Sequence, residues 1–220
     1  MSYQTGPRIV TNGLVFCVDA ADANSYPGSG TTWTDLSGNG NNGTLTNGPT
    51  FNSANRGSIV FDGVNDYVSG SIPTLTSWSM CLWYLSTDIN STVVFYPFSA
   101  TANDNGLGFG GTSNASTNNR WYFFDGTTVM SSSSTSITTN IRYNLVVTKN
   151  STTYNLYTNG SLSLNTTGVD LSLTQYNLGR RGDGFWYIKG NISQASIYSR
   201  ALSASEVAQN YNATKGRYGF

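Results

Sequence analysis

Trp33-Thr34-Asp35-Leu36-Ser37-Gly38-Asn39-Gly40-Asn41-Asn42-Gly43-Thr44-Leu45 is followed, after a short loop, by Gly57-Ser58-Ile59-Val60-Phe61-Asp62-Gly63-Val64-Asn65-Asp66-Tyr67-Val68. These two runs decide the fold. Each sets a tight Asn/Gly-dominated turn beside a short apolar strand. Gly and Asn tolerate positive φ and Asp or Asn side chains bond their own backbone, so such turns reverse the chain within a few residues.

The same grammar extends along the chain. Period-two alternation bounded by turn residues predicts strands at 14–18, 57–62, 66–69, 78–85, 93–98, 107–110, 120–124, 142–149, 153–158, 161–164, 175–179 and 191–198. Asn159-Gly160 between two of them is the preferred pair for a type I′ hairpin. In 142–149, Tyr143, Leu145 and Val147 share one face and Asn144, Val146 and Thr148 the other. In 191–198, Ala195 and Ile197 fall on one face but Ile192 on the opposite one, which predicts a bulge or a strand covered on both sides. Ser131–Ser134 reads as a loop tip. One helix is predicted, over 203–212: Ser203-Ala204-Ser205-Glu206 is a capping box, and Val207, Ala208 and Tyr211 form a short apolar stripe behind it. The expectation is an all-β chain, two antiparallel sheets in a jelly-roll sandwich with a short C-terminal helix. It forms a single domain over 1–220, with an N-terminal arm over 1–12.

Composition narrows the function. Net charge is zero and no segment collects Lys or Arg, so the basic footprint of a nucleic-acid binder is missing. No apolar run approaches the roughly 20 residues that span a bilayer. The first eight residues carry no apolar leader, so a chain made in a cytoplasm is expected and the N-x-S/T sequons read as a by-product of composition. Cys17 and Cys81 sit within apolar strand-like runs, as buried free thiols or as a disulfide between neighbouring strands.

Trp33 to Gly43, Phe61-Asp62-Gly63 with Asp66-Tyr67-Val68, and Ile197-Tyr198-Ser199-Arg200-Ala201-Leu202-Ser203-Ala204-Ser205-Glu206-Val207 together resemble the laminin-G-like, concanavalin A-like jelly-roll domains. The resemblance runs from about Gly13 to Gly219. The ends, Gly6-Pro7-Arg8-Ile9-Val10 and Tyr211 to Gly219, are similar to versions found in tailed-phage structural proteins. It implies two sheets packed face to face, one concave, with glycan or protein binding and in many members a structural calcium. The family also includes glucanases.

The residues themselves test for catalysis. There is no histidine, which removes most general-base, triad and zinc arrangements. Glycoside hydrolysis needs two facing carboxylates, and this chain has one glutamate, Glu206, already used by the capping box. No two aspartates stand at i, i+2 in a strand, and Asp19/Asp22 and Asp62/Asp66 lie at strand ends. For calcium, Asp35, Ser37, Asn39 and Gly40 occupy positions 1, 3, 5 and 6 of a calcium loop, but Thr46 stands where the bidentate acid belongs. The alternative is an Asx/Gly turn that satisfies its own backbone. For glycans, exposed aromatic faces beside Asn or Asp are required. Trp121 and Tyr122 follow the polar loop 118–120, and Trp186 and Tyr187 follow Arg180-Arg181-Gly182-Asp183-Gly184, which makes Asp183 a further candidate. Trp33, Trp78 and Trp83 read as core, and Arg181-Gly182-Asp183 as a chance integrin-type tripeptide.

The leading expectation is a non-enzymatic virion surface protein of a tailed phage, decorating capsid or tail beside other virion proteins. It would be homo-oligomeric, would touch host glycans and would involve no nucleic acid or membrane. The alternatives are a free carbohydrate-binding lectin or adhesin module and, more remotely, a glycoside hydrolase.

Overall fold

A strand with apolar residues on both faces must be covered on both sides, and Trp78–Ser86 and Arg142–Asn150 are of this kind. In the computed structural model they lie side by side in a sheet whose two faces are both buried. The structure describes residues 8–54, 57–88, 94–99, 106–110, 120–124, 129–136, 138–181 and 186–220. With strands numbered in chain order, the first sheet runs β14 (Ser161–Thr167), β13 (Thr153–Thr158), β12 (Arg142–Asn150), β7 (Trp78–Ser86), β16 (Lys189–Tyr198), β5 (Ser58–Asp62) and β4 (Thr50–Asn52). β1 (Leu14–Asp19) joins it beside β16. The second sheet runs β11 (Val129–Ser136), β10 (Arg120–Phe124), β9 (Gly106–Gly110), β8 (Val94–Ser99), β15 (Leu173–Leu178), β6 (Tyr67–Leu75), β3 (Gly43–Thr46) and β2 (Thr32–Trp33). All the pairings are antiparallel, the arrangement of a jelly-roll sandwich.

The main core fills the space between the sheets. Trp78, Met80, Leu82 and Tyr84 of β7 and Tyr143, Leu145 and Val147 of β12 meet Val68, Trp121, Phe123, Tyr176 and Leu178 of the second sheet. The opposite face of the first sheet is covered by the helix α1 (Ala204–Thr214) and the segments flanking it. A second cluster there joins Cys81, Val146 and Tyr198 to Val10, Leu202 and Val207. Trp83 also lies on this face: its indole Nε1 donates to Thr214 Oγ1 at 2.9 Å, and Tyr211, Tyr218 and Phe220 pack against its ring. Asn210 Oδ1 accepts from Val10 N at 2.8 Å, and Tyr198 Oη donates to Val10 O at 2.9 Å, which fastens the N-terminal segment beneath the helix.

The bulge predicted in 191–198 is present. The register of β16 against β7 shifts between Ile192 and Gln194, and this lets Ile192, Ala195 and Ile197 all enter the main core. The shift falls where β16 changes partners, from β5 at Lys189–Ile192 to β1 at Gln194–Tyr198. The hairpin at Asn159-Gly160 has both residues at positive φ, 51° and 78°, as type I′ requires. Cys17 and Cys81 are free and buried. Both pair with Ser196 from opposite sides, so they stand two strand spacings apart, roughly 9–10 Å, beyond the span of a disulfide. Ser131–Ser134 departs from its expectation as a loop: it lies within β11, an edge strand whose serines carry no apolar alternation to betray it.

The capping box forms as read, with Ser203 Oγ accepting from Glu206 N at 3.3 Å and Glu206 Oε2 accepting from Ser203 N at 2.9 Å. Arg200 donates both Nη atoms to the Glu206 carboxylate, at 2.8 and 2.6 Å. This fork and the backbone donor pull the Glu206 carboxyl down to about 2. A depressed carboxyl pKa stabilises the fold in full above its unfolded value, and that contribution is lost as pH falls through about 2. Glu206→Gln is therefore expected to lower Tm at pH 7, and the gap to the parent should close between about pH 4.5 and pH 2 in thermal melts followed by circular dichroism.

Candidate functional site

The Asp35 turn is tied together by its own carboxylate. Its Oδ1 accepts from Cys17 N and Ser37 N, each at 2.9 Å, and its Oδ2 from Ser37 Oγ at 2.7 Å and Asn41 N at 3.0 Å. An ionised carboxylate has about four lone-pair sites, and all four are taken. Asn41 Nδ2 donates to Val15 O at 2.7 Å, Asn39 Nδ2 to Leu14 O at 3.2 Å, and Leu36 N to Cys17 O at 2.7 Å. These are the groups on the edge of β1 that faces away from β16, so the turn stands in for a missing neighbouring strand. Of the two expectations at Asp35, Ser37 and Asn39, calcium loop or self-satisfying Asx/Gly turn, these bonds are those of the turn.

Trp121 and Tyr122 are likewise corrected as glycan platforms. Trp121 is 0% exposed in the main core, edge-on to Tyr84 and Tyr143, and Tyr122 is 1% exposed. No sugar can stack on either. Asp183 lies outside the described residues. Trp186 is 38% exposed, with the Arg181 guanidinium 5.6 Å from its ring centre, and its φ of 62° is a conformation bulky side chains rarely adopt. Such outliers persist where surrounding structure enforces them, and they concentrate at ligand sites. Tyr187 is half-buried beside it. The loop carrying them leaves β15 and returns to β16, closed by Ile188 N donating to Gly179 O at 2.9 Å.

β15, the strand that leads into that loop, contributes to the outer face of the second sheet. On β6, Val68 and Ile72 point into the core while Tyr67, Ser69 and Ser71 alternate outward; on β15, Tyr176 and Leu178 point in and Gln175 and Asn177 out. Register pairs Ser71 with Gln175 and Ser69 with Asn177. The row ends at Arg180, whose guanidinium lies 3.5 Å from the Tyr67 ring centre and whose Nε donates to Asn177 Oδ1 at 3.1 Å. From Tyr67 to Ser71 the row spans about 13 Å at strand rise. It borders an open depression of about 200 Å³ lined by Ser69, Gly70, Ser71, Gln175, Asn177 and Arg180. Among the described residues, Ser69, Ser71 and Gln175 have no side-chain hydrogen-bond partner, so their polar groups are free for a ligand. Sequence reading missed this row. Its signal was present: polar residues at alternate positions of two strands whose other face is apolar.

A larger cleft, about 690 Å³, lies between the loop 19–28 and Phe51, Ser53 and Gly57. Several of its polar groups are already engaged. Asp19 accepts from Ala21 N and Arg217, Asp22 from Asn24 N and Nδ2, and Tyr26 donates to Gly30 O. Asp62 and Asp66 are similarly occupied: Asp62 Oδ1 accepts from Val64 N at 2.7 Å, and Asp66 Oδ2 from Asp62 N at 3.1 Å.

A sequence model of the Laminin_G_3 family, the concanavalin A-like lectin/glucanases superfamily, matches residues 61–208, and the chain belongs to this family. No curated protein matches it by sequence. Among solved structures, it is similar to a mutant of Trypanosoma rangeli sialidase displaying trans-sialidase activity (TM-score 0.72, 14% identity, covering 98% of this chain and 35% of that one). It is also similar to domain 4 of AbnA, a GH43 extracellular arabinanase from Geobacillus stearothermophilus in complex with arabinotriose (TM-score 0.65, 16% identity, 90% and 98%). The chain thus spans about a third of the length of the sialidase. At these identities the likeness is one of fold. These findings overturn the expectation of a phage virion surface protein: the family model is one of lectins and glucanases, and the two similar structures named here are a sialidase and an arabinanase domain, which favours the carbohydrate-directed alternatives.

Asp35→Ala is expected to cost about 3 kcal/mol in urea unfolding, because four donors lose a charged acceptor. Adding calcium or a chelator is expected to leave the parent Tm unchanged.

Proposed function

We propose that this domain is a carbohydrate-binding module that holds a short oligosaccharide along the outer face of its second sheet. The observation that carries the reading is the row Tyr67, Ser69, Ser71, Gln175, Asn177 and Arg180, whose polar groups stand in register and largely unengaged. Sugars offer hydroxyls on ring edges and apolar ring faces. Gln175, Ser69 and Ser71 supply donors and acceptors for the former, and the exposed Trp186 supplies a stacking face for the latter. Membership of a lectin and glucanase superfamily and the likeness to an arabinanase domain seen with arabinotriose support a carbohydrate ligand.

The module binds without cleaving. Its single glutamate is committed to Arg200 and the helix cap. Asp35, Asp62 and Asp66 are committed to backbone donors. Among the described residues there is no cluster of three or more His, Cys, Asp or Glu side chains that could hold a metal. No described helix is long and apolar enough to cross a membrane.

On a glycan array followed by calorimetry, the isolated domain should bind at least one oligosaccharide without hydrolysing it. Gln175→Ala and Trp186→Ala should each weaken binding by roughly tenfold, the loss of one or two good contacts, with Tm held within about 2 °C. Binding to no glycan, or binding unaffected by both substitutions, refutes the proposal. Release of reducing ends from the bound sugar would instead favour the hydrolase alternative.

A further inference from the structure

We infer that the site selects a sugar bearing a carboxylate, and that Arg180 is the residue that recognises it; this rests on the carbohydrate-binding reading above. The inference begins with how Arg180 is held. A free arginine on a surface samples many rotamers, and ordering it costs side-chain entropy at the moment of binding. Here two contacts have ordered it beforehand. The guanidinium plane lies 3.5 Å from the Tyr67 ring centre, a stacked cation–π arrangement, and Nε donates to Asn177 Oδ1 at 3.1 Å. Asn177 is itself buried in β15, so the acceptor that sets the orientation is fixed.

Those two contacts use one face of the guanidinium and the Nε donor. They leave the Nη1 and Nη2 fork unengaged among the described residues, and Arg180 has no carboxylate partner there. The other arginine forks show what such a group takes when a partner is near: Arg200 grips Glu206 with both Nη atoms, and Arg217 grips Asp19. A planar fork of two parallel N–H donors matches a carboxylate bidentately, and this geometry discriminates far better than charge alone. Arg180 therefore presents a prepared carboxylate receptor at the end of a row of hydroxyl and amide groups that suits a sugar ring.

Overall charge does not produce this selectivity. The chain carries eleven basic and eleven acidic residues, so no general positive field draws in polyanions. Preference for an acidic sugar would come from local cations, and of Arg180 and Arg181 it is Arg180 that lines the depression and is ordered by Tyr67 and Asn177. The depression of about 200 Å³ beside Arg180 is open, which suits a residue within or at the end of a chain better than an enclosed small molecule.

The experiment compares acid with ester on one scaffold. Trigalacturonate and 3′-sialyllactose, each beside its methyl ester, are titrated by calorimetry into the parent, Arg180→Gln and Arg180→Lys domains, with Tm as a check on folding. The parent should bind at least one acid about tenfold or more tighter than its ester, the worth of a charge-assisted bidentate pair. Arg180→Gln should remove that difference, weakening the acid far more than the ester. Arg180→Lys should restore only part of it, since the ammonium keeps the charge but not the fork. Equal binding of acid and ester, or an Arg180→Gln loss equal for both, overturns the inference while leaving a carbohydrate-binding domain. Binding of neither form of either sugar overturns it as well. The array of the preceding section then decides separately whether any glycan is bound.

Discussion

A sheet sandwiched on only one side must present its other face to water, but this first sheet is apolar on both. β7 alternates Trp78, Met80, Leu82 and Tyr84 toward the second sheet with Cys81 and Trp83 toward the opposite side. The C-terminal helix and the N-terminal segment answer that demand by packing Val207, Leu202, Tyr211 and Val10 onto the outward residues. The segments carrying Val10 and Leu202–Val207 both cover one sheet. The consequence for function is geometric: the helix occupies the outward side of the first sheet, while among the described residues the outward side of the second sheet keeps Ser69, Ser71 and Gln175 unengaged.

The signature turn around Asp35 obeys a similar constraint. β1 is bonded to β16 along one edge, and its other edge would expose Val15 O, Leu14 O and the Cys17 amide and carbonyl. Asp35, Asn39 and Asn41 reach those groups with side chains, and Leu36 reaches one with its backbone. A run that resembles a metal loop in one dimension is a strand-edge cover in three. The resemblance is chemical, since converging oxygens suit calcium and backbone N–H donors equally well. Only the fold determines which of the two arrives.

The legibility of the sequence followed the strength of its local signals. Long alternating strands, the Asn159-Gly160 hairpin, the Ile192 phase break and the Ser203–Glu206 cap were readable because each is decided within a few residues. β2, β3 and β4 escaped because they are short and owe their form to partners distant in sequence. Ser131–Ser134 escaped because an edge strand of serines has no apolar period. Among the glycan candidates, Trp186 follows a polar loop and is exposed, whereas Trp121 and Tyr122 follow an equally polar loop and are buried. Adjacency to a loop does not say which way a strand residue faces. Tyr67 on β6 lies about a hundred residues before Gln175 on β15 and Arg180 just beyond it, and no local pattern joins them.

The account's central claim is that ligand is met on the outer face of the second sheet. Backbone amide chemical shifts of the domain, followed by NMR while a glycan identified on the array is titrated in, test it most directly. Perturbations should concentrate at Tyr67–Ser71, Gln175–Arg181 and Trp186–Tyr187, with the helix Ala204–Thr214 and the cleft around Asp22 and Phe51 unmoved. Perturbations centred on that cleft or on the helix, with the Ser69–Gln175 row silent, would contradict it.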